Sequence, residues 1–194
     1  MNNQFDKNFY YNFRNFVQCY MKLIYRINIT GAENIPTDTN YILAGNHLNI
    51  LDSWLLMTAD SNYLRFLVDN KLYRYRHWEW FFKKLGTIGT NPDQVDIKSL
   101  KELINLLKEG KNLVIFPEGH THNKDIHLEY KSGVAKMSRL TNVTIVPFGI
   151  YGSYKPFHKI NLNFGEPINY NQIKLPNNEI DKDLEMKIKK LIIK

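Results

Sequence analysis

The sequence predicts a single α/β domain whose mostly parallel or mixed central sheet is flanked by helices. Its length of 194 residues falls in the range of one domain. From residue 31 onward, short apolar runs alternate with segments of helical periodicity. Strands separated by helical segments of this length are typical of α/β folds with largely parallel strands. A hydrophobic content of 43% can supply the core of such a fold and argues against disorder.

An amphipathic helix is predicted at the start of the chain, where apolar residues recur at steps of three or four. These residues are Phe5, Phe9, Phe13, Phe16, Tyr20, Ile24 and Ile27, with Lys7, Arg14, Lys22 and Arg26 around them. Such a helix can pack on its own domain or lie in a membrane interface, because amphipathicity alone does not choose the partner. We assign residues 1–30 to this segment and residues 31–194 to the main domain.

The remaining elements follow in chain order after the turn-rich segment 31–40. Short apolar runs predict strands at 41–45, 64–69, 112–116, 142–150 and 158–165. Helical periodicity predicts helices at 53–59, 72–86, 95–110, 132–140 and about 178–193. The clearest helix is 95–110, because Leu100, Leu103 and Leu107 share one face and Gly110 marks its end.

Charge and cysteine content narrow the classes of partner and site. The excess of 26 Lys+Arg over 19 Asp+Glu gives +7, which favours anionic lipid, nucleotide, nucleic acid or an acidic protein. The single cysteine, Cys19, excludes an internal disulfide and a cysteine-based zinc site. No run reaches the 18 or more apolar residues typical of a membrane span. The first residues also lack the continuous apolar run of a secretory signal.

The segment NHLNILD (46–52) directly follows the predicted strand 41–45, and open α/β sheets bind ligands at strand carboxyl ends. Five residues separate His47 from Asp52, so the two would not share one face of a regular helix. They meet if His47 lies in the loop and Asp52 lies in the first turn of a helix capped by Asn49. Asp52 would then fix the His47 tautomer and leave the other ring nitrogen free as a general base.

A plainer interpretation of the same segment stays open. Asp52 can serve only to cap the helix and favour its positive end, and His47 can be only a polar residue of the turn. Spacing alone does not choose between the two interpretations, because short motifs of this kind also occur by chance.

A second polar cluster follows the predicted strand 112–116. Glu118 comes at the carboxyl end of that strand, and Pro117 and Gly119 shape a tight loop around it. Its carboxylate can order the loop, contact a substrate hydroxyl or only cap local backbone donors. A metal site is a further alternative, with His47, Asp52, Glu118, His120 and His122 as its members. The sequence has no H-E-x-x-H motif to support it.

Four blocks in order resemble the PlsC-like lysophospholipid acyltransferase family, which includes 1-acylglycerol-3-phosphate acyltransferases. NHLNILD resembles its N-H-x-x-x-x-D block and FPEGHTH (116–122) its F-P-E-G-T-R block. YKSGVAKMS (130–138) resembles the stretch that follows, often F-K-x-G, and IVPFGI (145–150) resembles the final V-P-V/I block. The match spans about residues 31–168. Each block alone is weak, but four in this order at predicted strand ends are specific.

The resemblance implies transfer of a fatty acyl group from a thioester to a lysolipid hydroxyl by the domain 31–194. His47 would take the hydroxyl proton, and Asp52 would orient His47 and stabilise its charge. The acceptor oxygen would attack the acyl carbonyl directly, without an acyl-enzyme. We expect substrate contacts from residues in or beside the blocks, which are Asn46, Glu118, Gly119, His120, Thr121 and Lys131.

The resemblance also sets the expected partners. The donor would be acyl-CoA or acyl carrier protein, and we expect no cofactor, no metal and no nucleic acid. The acceptor is a membrane lipid, so residues 5–27 would hold the protein on the cytoplasmic face of a membrane as a peripheral or monotopic protein. The alternative is a catalytically lapsed relative that only binds lipid or acyl carrier.

Two departures from the family blocks concern the acceptor. Pro92 and Thr121 stand where the family commonly has arginines associated with the acceptor phosphate, and His120 replaces a threonine. A bidentate guanidinium is not easily replaced at a phosphate site. Other cations can substitute, namely Lys83, Lys84, Arg74, Arg76, Lys124 and Lys131. Alternatively, the head group lacks phosphate or presents it differently, and we hold this as a hypothesis.

Overall fold

A computed structural model describes residues 5–91, 97–118 and 133–192, with the side chains of residues 97 and 98 excepted. Its centre is a seven-stranded sheet in the order β1-β7-β6-β2-β5-β3-β4. The strands are β1 (Arg26–Thr30), β2 (Tyr41–Gly45), β3 (Leu64–Asp69), β4 (Ile88–Thr90), β5 (Asn112–Ile115), β6 (Thr144–Gly152) and β7 (Lys159–Phe164). The helices are α1 (Lys7–Ile24), α2 (Asp52–Ala59), α3 (Arg76–Leu85), α4 (Ile97–Lys108), α5 (Val134–Thr141) and α6 (Ile180–Ile192).

The sheet is mixed, which confirms the predicted fold class. β6, β2, β5, β3 and β4 pair in parallel, whereas β7 pairs antiparallel to β6 and parallel to β1. Ala44 near the end of β2 is level with Ile115 on β5 and Pro147 on β6. The carboxyl ends of β2 and β5 therefore lie at one edge of the sheet, where β6 continues past them.

Helices cover both faces of the sheet. Tyr41 and Leu43 of β2 contribute to a core shared with α1, α2 and α3. Ile42 and Ala44 face the opposite core, shared with α4, α5 and α6. Because β2 is buried on both sides, its sequence is a continuous apolar run without alternation.

The N-terminal helix packs on its own domain. Tyr10, Val17 and Met21 on its inner face are fully buried. Arg14 Nε donates hydrogen bonds to the Met57 and Asp60 carbonyl oxygens at the end of α2, 3.0 Å each. Phe16 and other outer residues of the helix stay exposed. None of the helices in the described ranges is both long and apolar enough to cross a bilayer.

The observed elements differ from the predicted ones at three places. The prediction of one helix through Ile27 is wrong at its end, because the helix stops at Ile24 and residues 26–30 pair with β7 as an edge strand. β4 was not predicted, since three residues are too few to show a period. α3 begins at Arg76 rather than residue 72, because Asn70–Arg74 forms a 3-10 helix that Asp69 caps at the Lys71 N–H.

Candidate active site

The end of β2 is anchored to β6 by close backbone approach and by a side-chain bridge. A Cβ atom on Gly45 would lie 2.3 Å from the Phe148 carbonyl oxygen, so only glycine fits there. The amide group of buried Asn46 accepts from the Ile150 N–H at 2.7 Å and donates to the Ile150 carbonyl at 2.8 Å. Asn46 thereby extends the sheet and positions the next residue, His47. A substrate contact by Asn46 stays a prediction.

His47 and Asp52 are in direct contact, with His47 in the loop and Asp52 in the first turn of α2. His47 Nδ1 lies 2.8 Å from Asp52 Oδ2. The same oxygen accepts hydrogen bonds from the Leu48 and Asn49 backbone N–H groups at 2.6 and 2.8 Å. A carboxylate that accepts from N–H groups can only accept from the imidazole as well, so His47 carries its proton on Nδ1.

The start of α2 explains this arrangement. Asn49 Oδ1 accepts from the Leu51 N–H at 3.1 Å, while the Asp52 side chain reaches back to the Asn49 N–H. The predicted cap of α2 by Asn49 is wrong, because α2 begins at Asp52 and its N-cap residue, Leu51, makes no side-chain cap. The Asp52 carboxylate instead orders the loop that leads into α2, through the Leu48 and Asn49 N–H groups, and holds His47 at the same time.

The His47 ring is oriented by aromatic stacking and remains partly exposed to solvent. It stacks on Phe116, with ring centroids 4.0 Å apart and an interplanar angle of 17°. The His47 side chain is 18% exposed, whereas Asp52 is fully buried. No described residue hydrogen-bonds to Nε2. The second ring nitrogen is therefore available to an external group, as a general base requires.

Glu118 joins the end of β5 to the same loop. It is buried, and its Oε2 accepts a hydrogen bond from the His47 backbone N–H at 3.3 Å. The structure thus brings Asn46, His47, Asp52 and Glu118 together. The remaining predicted site residues, Gly119, His120, Thr121 and Lys131, lie outside the described residues, as does Pro92. Their substrate contacts stay predictions.

Tyr154 is a site residue that sequence reasoning missed. Its hydroxyl donates a hydrogen bond to Asp52 Oδ1 from the segment between β6 and β7. Burial, together with the negative charge of Asp52, raises the pKa of Tyr154, so the hydroxyl stays protonated and acts as donor. The residue lies two positions after the end of β6, and a polar aromatic residue just past a strand end is the signal that could have found it.

An aromatic layer covers the outside of α1 and α3 next to this site. Its rings contact one another at centroid distances between 5.1 and 6.5 Å. Its members are Phe9, Phe13, Phe16, Tyr20, Trp54, Trp78, Trp80, Phe81 and Phe82. Phe16, Trp78 and Trp80 are exposed. Trp54 lies two residues after Asp52, so the layer reaches the start of α2.

Fold and site together define an α/β protein with a histidine–carboxylate pair at the carboxyl edge of a largely parallel sheet. A family model described as Acyltransferase matches residues 26–151. The chain belongs to this acyltransferase family, which confirms the PlsC-like resemblance.

Curated relatives and a solved structure agree with this assignment. A chloroplastic 1-acyl-sn-glycerol-3-phosphate acyltransferase of Arabidopsis thaliana is 30% identical over 135 residues, which are 68% of this chain and 37% of the relative. The 1-acyl-sn-glycerol-3-phosphate acyltransferase of Streptococcus pneumoniae is 26% identical over 157 residues, 77% of this chain and 58% of the relative. The chain thus spans less than two thirds of either relative's length.

The crystal structure of the 1-acyl-sn-glycerophosphate acyltransferase PlsC from Thermotoga maritima shares the fold. The two structures superpose with a TM-score of 0.74, over 92% of this chain and 78% of that chain, at 24% sequence identity. This match confirms the α/β architecture with its helix-flanked sheet.

Proposed function

We propose that the chain transfers a fatty acyl group from a thioester donor to the hydroxyl of a lysolipid. The observation that carries the proposal is the 2.8 Å contact between His47 Nδ1 and Asp52 Oδ2 at the end of β2. It leaves Nε2 as the basic atom of a base–orienter pair, and the acceptor supplies the nucleophile that such a pair activates. Family membership supports the same chemistry.

The proposed reaction has one base and no covalent enzyme intermediate. Nε2 of His47 removes the proton of the lysolipid hydroxyl while its oxygen attacks the thioester carbonyl carbon. The carbon–sulfur bond then breaks, and the leaving thiolate takes the proton from Nε2. Asp52 stabilises the imidazolium that exists between these steps, because its negative charge is buried and 2.8 Å away. No metal or prosthetic group takes part.

The substrate classes follow from the relatives and from charge. The relatives are named for 1-acyl-sn-glycerol-3-phosphate, which makes this lysolipid the reference acceptor. Pro92 and Thr121 in place of arginines support an acceptor that depends less on its phosphate. Acyl-CoA and acyl carrier protein are both acidic, and both suit a chain of net charge +7.

We further propose peripheral attachment to the cytoplasmic face of a membrane through the aromatic layer. Exposed tryptophan and phenylalanine rings are typical of interfacial helices. Lys84 Nζ lies 5.0 Å from the Trp80 ring centroid and 5.4 Å from that of Phe9, so a cation accompanies the exposed rings. The net charge of +7 adds a preference for anionic lipid.

A turnover assay tests the proposed function directly. Purified protein is mixed with acyl-CoA or acyl carrier protein thioester and with vesicles that carry one lysolipid each, with or without a head-group phosphate. We expect a diacyl product with at least one donor. A clear preference for 1-acylglycerol-3-phosphate would refute the reduced dependence on phosphate. Lipid binding without any product would instead support the lapsed binding protein.

A further inference from the structure

We propose that Tyr154 is a positioning residue that acts on His47 through Asp52. Its hydroxyl holds Oδ1 of Asp52 and thereby sets how strongly the carboxylate attracts the proton of His47. The inference rests on the proposed function, in which His47 is the base. Tyr154 lies outside the sequence blocks that carry the family resemblance.

The two oxygens of Asp52 have different partners. Oδ2 takes His47 Nδ1 and the two backbone N–H groups of Leu48 and Asn49. Oδ1 takes the Tyr154 hydroxyl, which is its donor among the described residues. Because Asp52 is fully buried, each oxygen needs a donor to offset the loss of water. Tyr154 therefore completes the solvation of a buried charge.

The surroundings hold Tyr154 in this place. β6 runs past the end of β2, and the Asn46–Ile150 bridge fixes the part of β6 that leads to Tyr154. The Tyr154 ring meets the Tyr25 ring edge to face, with centroids 5.8 Å apart. Further along the segment, the Phe157 N–H donates to the Ile24 carbonyl at 2.7 Å. The segment between β6 and β7 is thus tied to the end of α1, so the hydroxyl is aimed at Asp52 by several independent contacts.

The electrostatic consequence has a definite sign. Among the residues that the structure describes, the titratable groups around His47 are Asp52 from α2, Glu118 after β5 and Tyr154 after β6, with Tyr25 from the end of α1 behind Tyr154. A hydrogen bond to a carboxylate favours its charged form and lowers its basicity. Removing the Tyr154 hydroxyl makes Asp52 a stronger acceptor, and His47 then keeps its proton to higher pH.

The test is Tyr154→Phe, which keeps the ring and removes the donor. The low-pH limb of kcat/KM should move to higher pH by about 0.5–1 unit, and the rate below that limb should fall about 3–10-fold. KM for the acceptor should change little, because the Tyr154 hydroxyl is directed at Asp52 Oδ1. The matched control is Tyr151→Phe on β6, whose buried hydroxyl has no hydrogen-bond partner within the described part of the chain. It should match wild type.

An activity-independent measurement accompanies the kinetics. NMR titration of the His47 ring, assigned by its loss in His47→Ala, should show the protonation midpoint at higher pH in Tyr154→Phe. Site-specific 3-fluorotyrosine at position 154, a stronger donor, should move the midpoint to lower pH.

These readouts separate the inference from the proposed function. An unchanged midpoint in Tyr154→Phe, or equal shifts in Tyr154→Phe and Tyr151→Phe, overturns the role of Tyr154. If the variants show the expected midpoint shifts but the wild-type protein shows no turnover, the proposed acyl transfer is refuted and the coupling of Tyr154 to His47 is upheld.

Discussion

The two faces of the sheet are covered by helices of different character. α1, α2 and α3 enclose a core rich in aromatic residues, and they also carry exposed rings on their outer side. α4, α5 and α6 enclose a mainly aliphatic core with Tyr170 as its buried aromatic residue. The outer side of α6 carries the ion pairs Lys187–Asp183 and Lys189–Glu185. We call these the aromatic face and the aliphatic face.

The difference indicates a division of tasks. Both faces bury one side of their helices, as any α/β domain must. Phe9, Phe13, Trp54 and Phe81 of the aromatic layer pack against that core, whereas its exposed rings do not. The exposed rings on one face are consistent with contact with something other than water. Asp52 begins α2 on the same face, which puts the proposed base beside the surface that would meet lipid. The aliphatic face exposes single apolar residues, Leu140 and Met186, beside ion pairs, as an ordinary solvated surface does.

The largest effect is expected for His47, the proposed base. His47→Ala should lower kcat about 10³-fold, because the hydroxyl proton then has no acceptor. Circular dichroism and Tm should stay near wild type, since the ring is partly exposed. His158→Ala is the matched control, because its ring is exposed and bonds locally to the Pro156 carbonyl. Full activity of His47→Ala would refute the proposed base.

The next largest effect is expected on vesicle binding, which should depend on the aromatic face and not on the aliphatic face. Replacing Trp78 and Trp80 together with serine should weaken binding to anionic vesicles about 10-fold or more, because two interfacial rings are lost. The comparison is Leu140→Ser with Met186→Ser on the aliphatic face, whose side chains are 72% and 57% exposed against 45% and 53% for the tryptophans. Co-sedimentation measures both pairs. Equal losses would show that the aromatic face has no special role.

On the aliphatic face, replacing Arg139 should lower the stability of the fold without changing the catalytic rate. The Arg139 guanidinium group donates to the carbonyl oxygens of Tyr170, Ile173 and Leu175 and to Asn177 Oδ1. Arg139→Ala should lower the free energy of unfolding by about 2 kcal/mol and Tm by about 4–8 °C.

Two readouts check this expectation. kcat at 25 °C should be unchanged in Arg139→Ala, and thermal unfolding should show the loss of stability. Lys136→Ala removes an exposed ion pair with Asp181 and should move Tm by less than about 2 °C. A large fall of kcat in Arg139→Ala would contradict the division of tasks between the faces.

The smallest effect concerns the start of α1. Asp6 Oδ1 accepts from the Phe9 N–H, and Lys84 lies 3.4 Å from its other oxygen. The backbone hydrogen bond from Phe9 is the main cause that lowers the pKa of Asp6. Asp6→Ala should reduce Tm by about 2 °C at pH 7. Asp6→Asn, which keeps a cap, should lose less.

The pH dependence of this effect has a fixed sign. A carboxylate with a lowered pKa in the folded state stabilises above its unfolded pKa and loses that contribution as the pH falls. The Tm difference between wild type and Asp6→Ala should therefore shrink below about pH 4. A difference that grows in acid would contradict the capping role.

Much of the fold could be predicted because its strands are buried on both sides. The run YILAG coincides with β2, and the prediction for residues 64–69 coincides with β3. Local periodicity assigns residue 27 to the helix, because Ile27 continues the helical spacing of Ile24, and only the pairing with β7 shows that residues 26–30 form a strand. Such pairing joins residues about 130 positions apart, which local periodicity does not report.

The site was predictable where its members are close in sequence. His47 and Asp52 are five residues apart, and a loop residue and a residue of the next helix's first turn can meet at this spacing, as they do here. Tyr154 lies 102 residues from Asp52, and its place depends on how β6 continues beyond β2. For Phe116, which stacks on His47, the sequence predicts only the end of a strand. The contacts missed are those that the sheet topology creates.

Thiol release from an acyl thioester, followed with and without lysolipid, tests the central claim most directly. Direct transfer with His47 as base predicts release that depends on the acceptor in wild type and is about 10³-fold slower in His47→Ala. One thiol should appear for each diacyl product. Acyl transfer at this site would be contradicted if wild type released thiol equally fast without lysolipid, or if His47→Ala released thiol as fast as wild type.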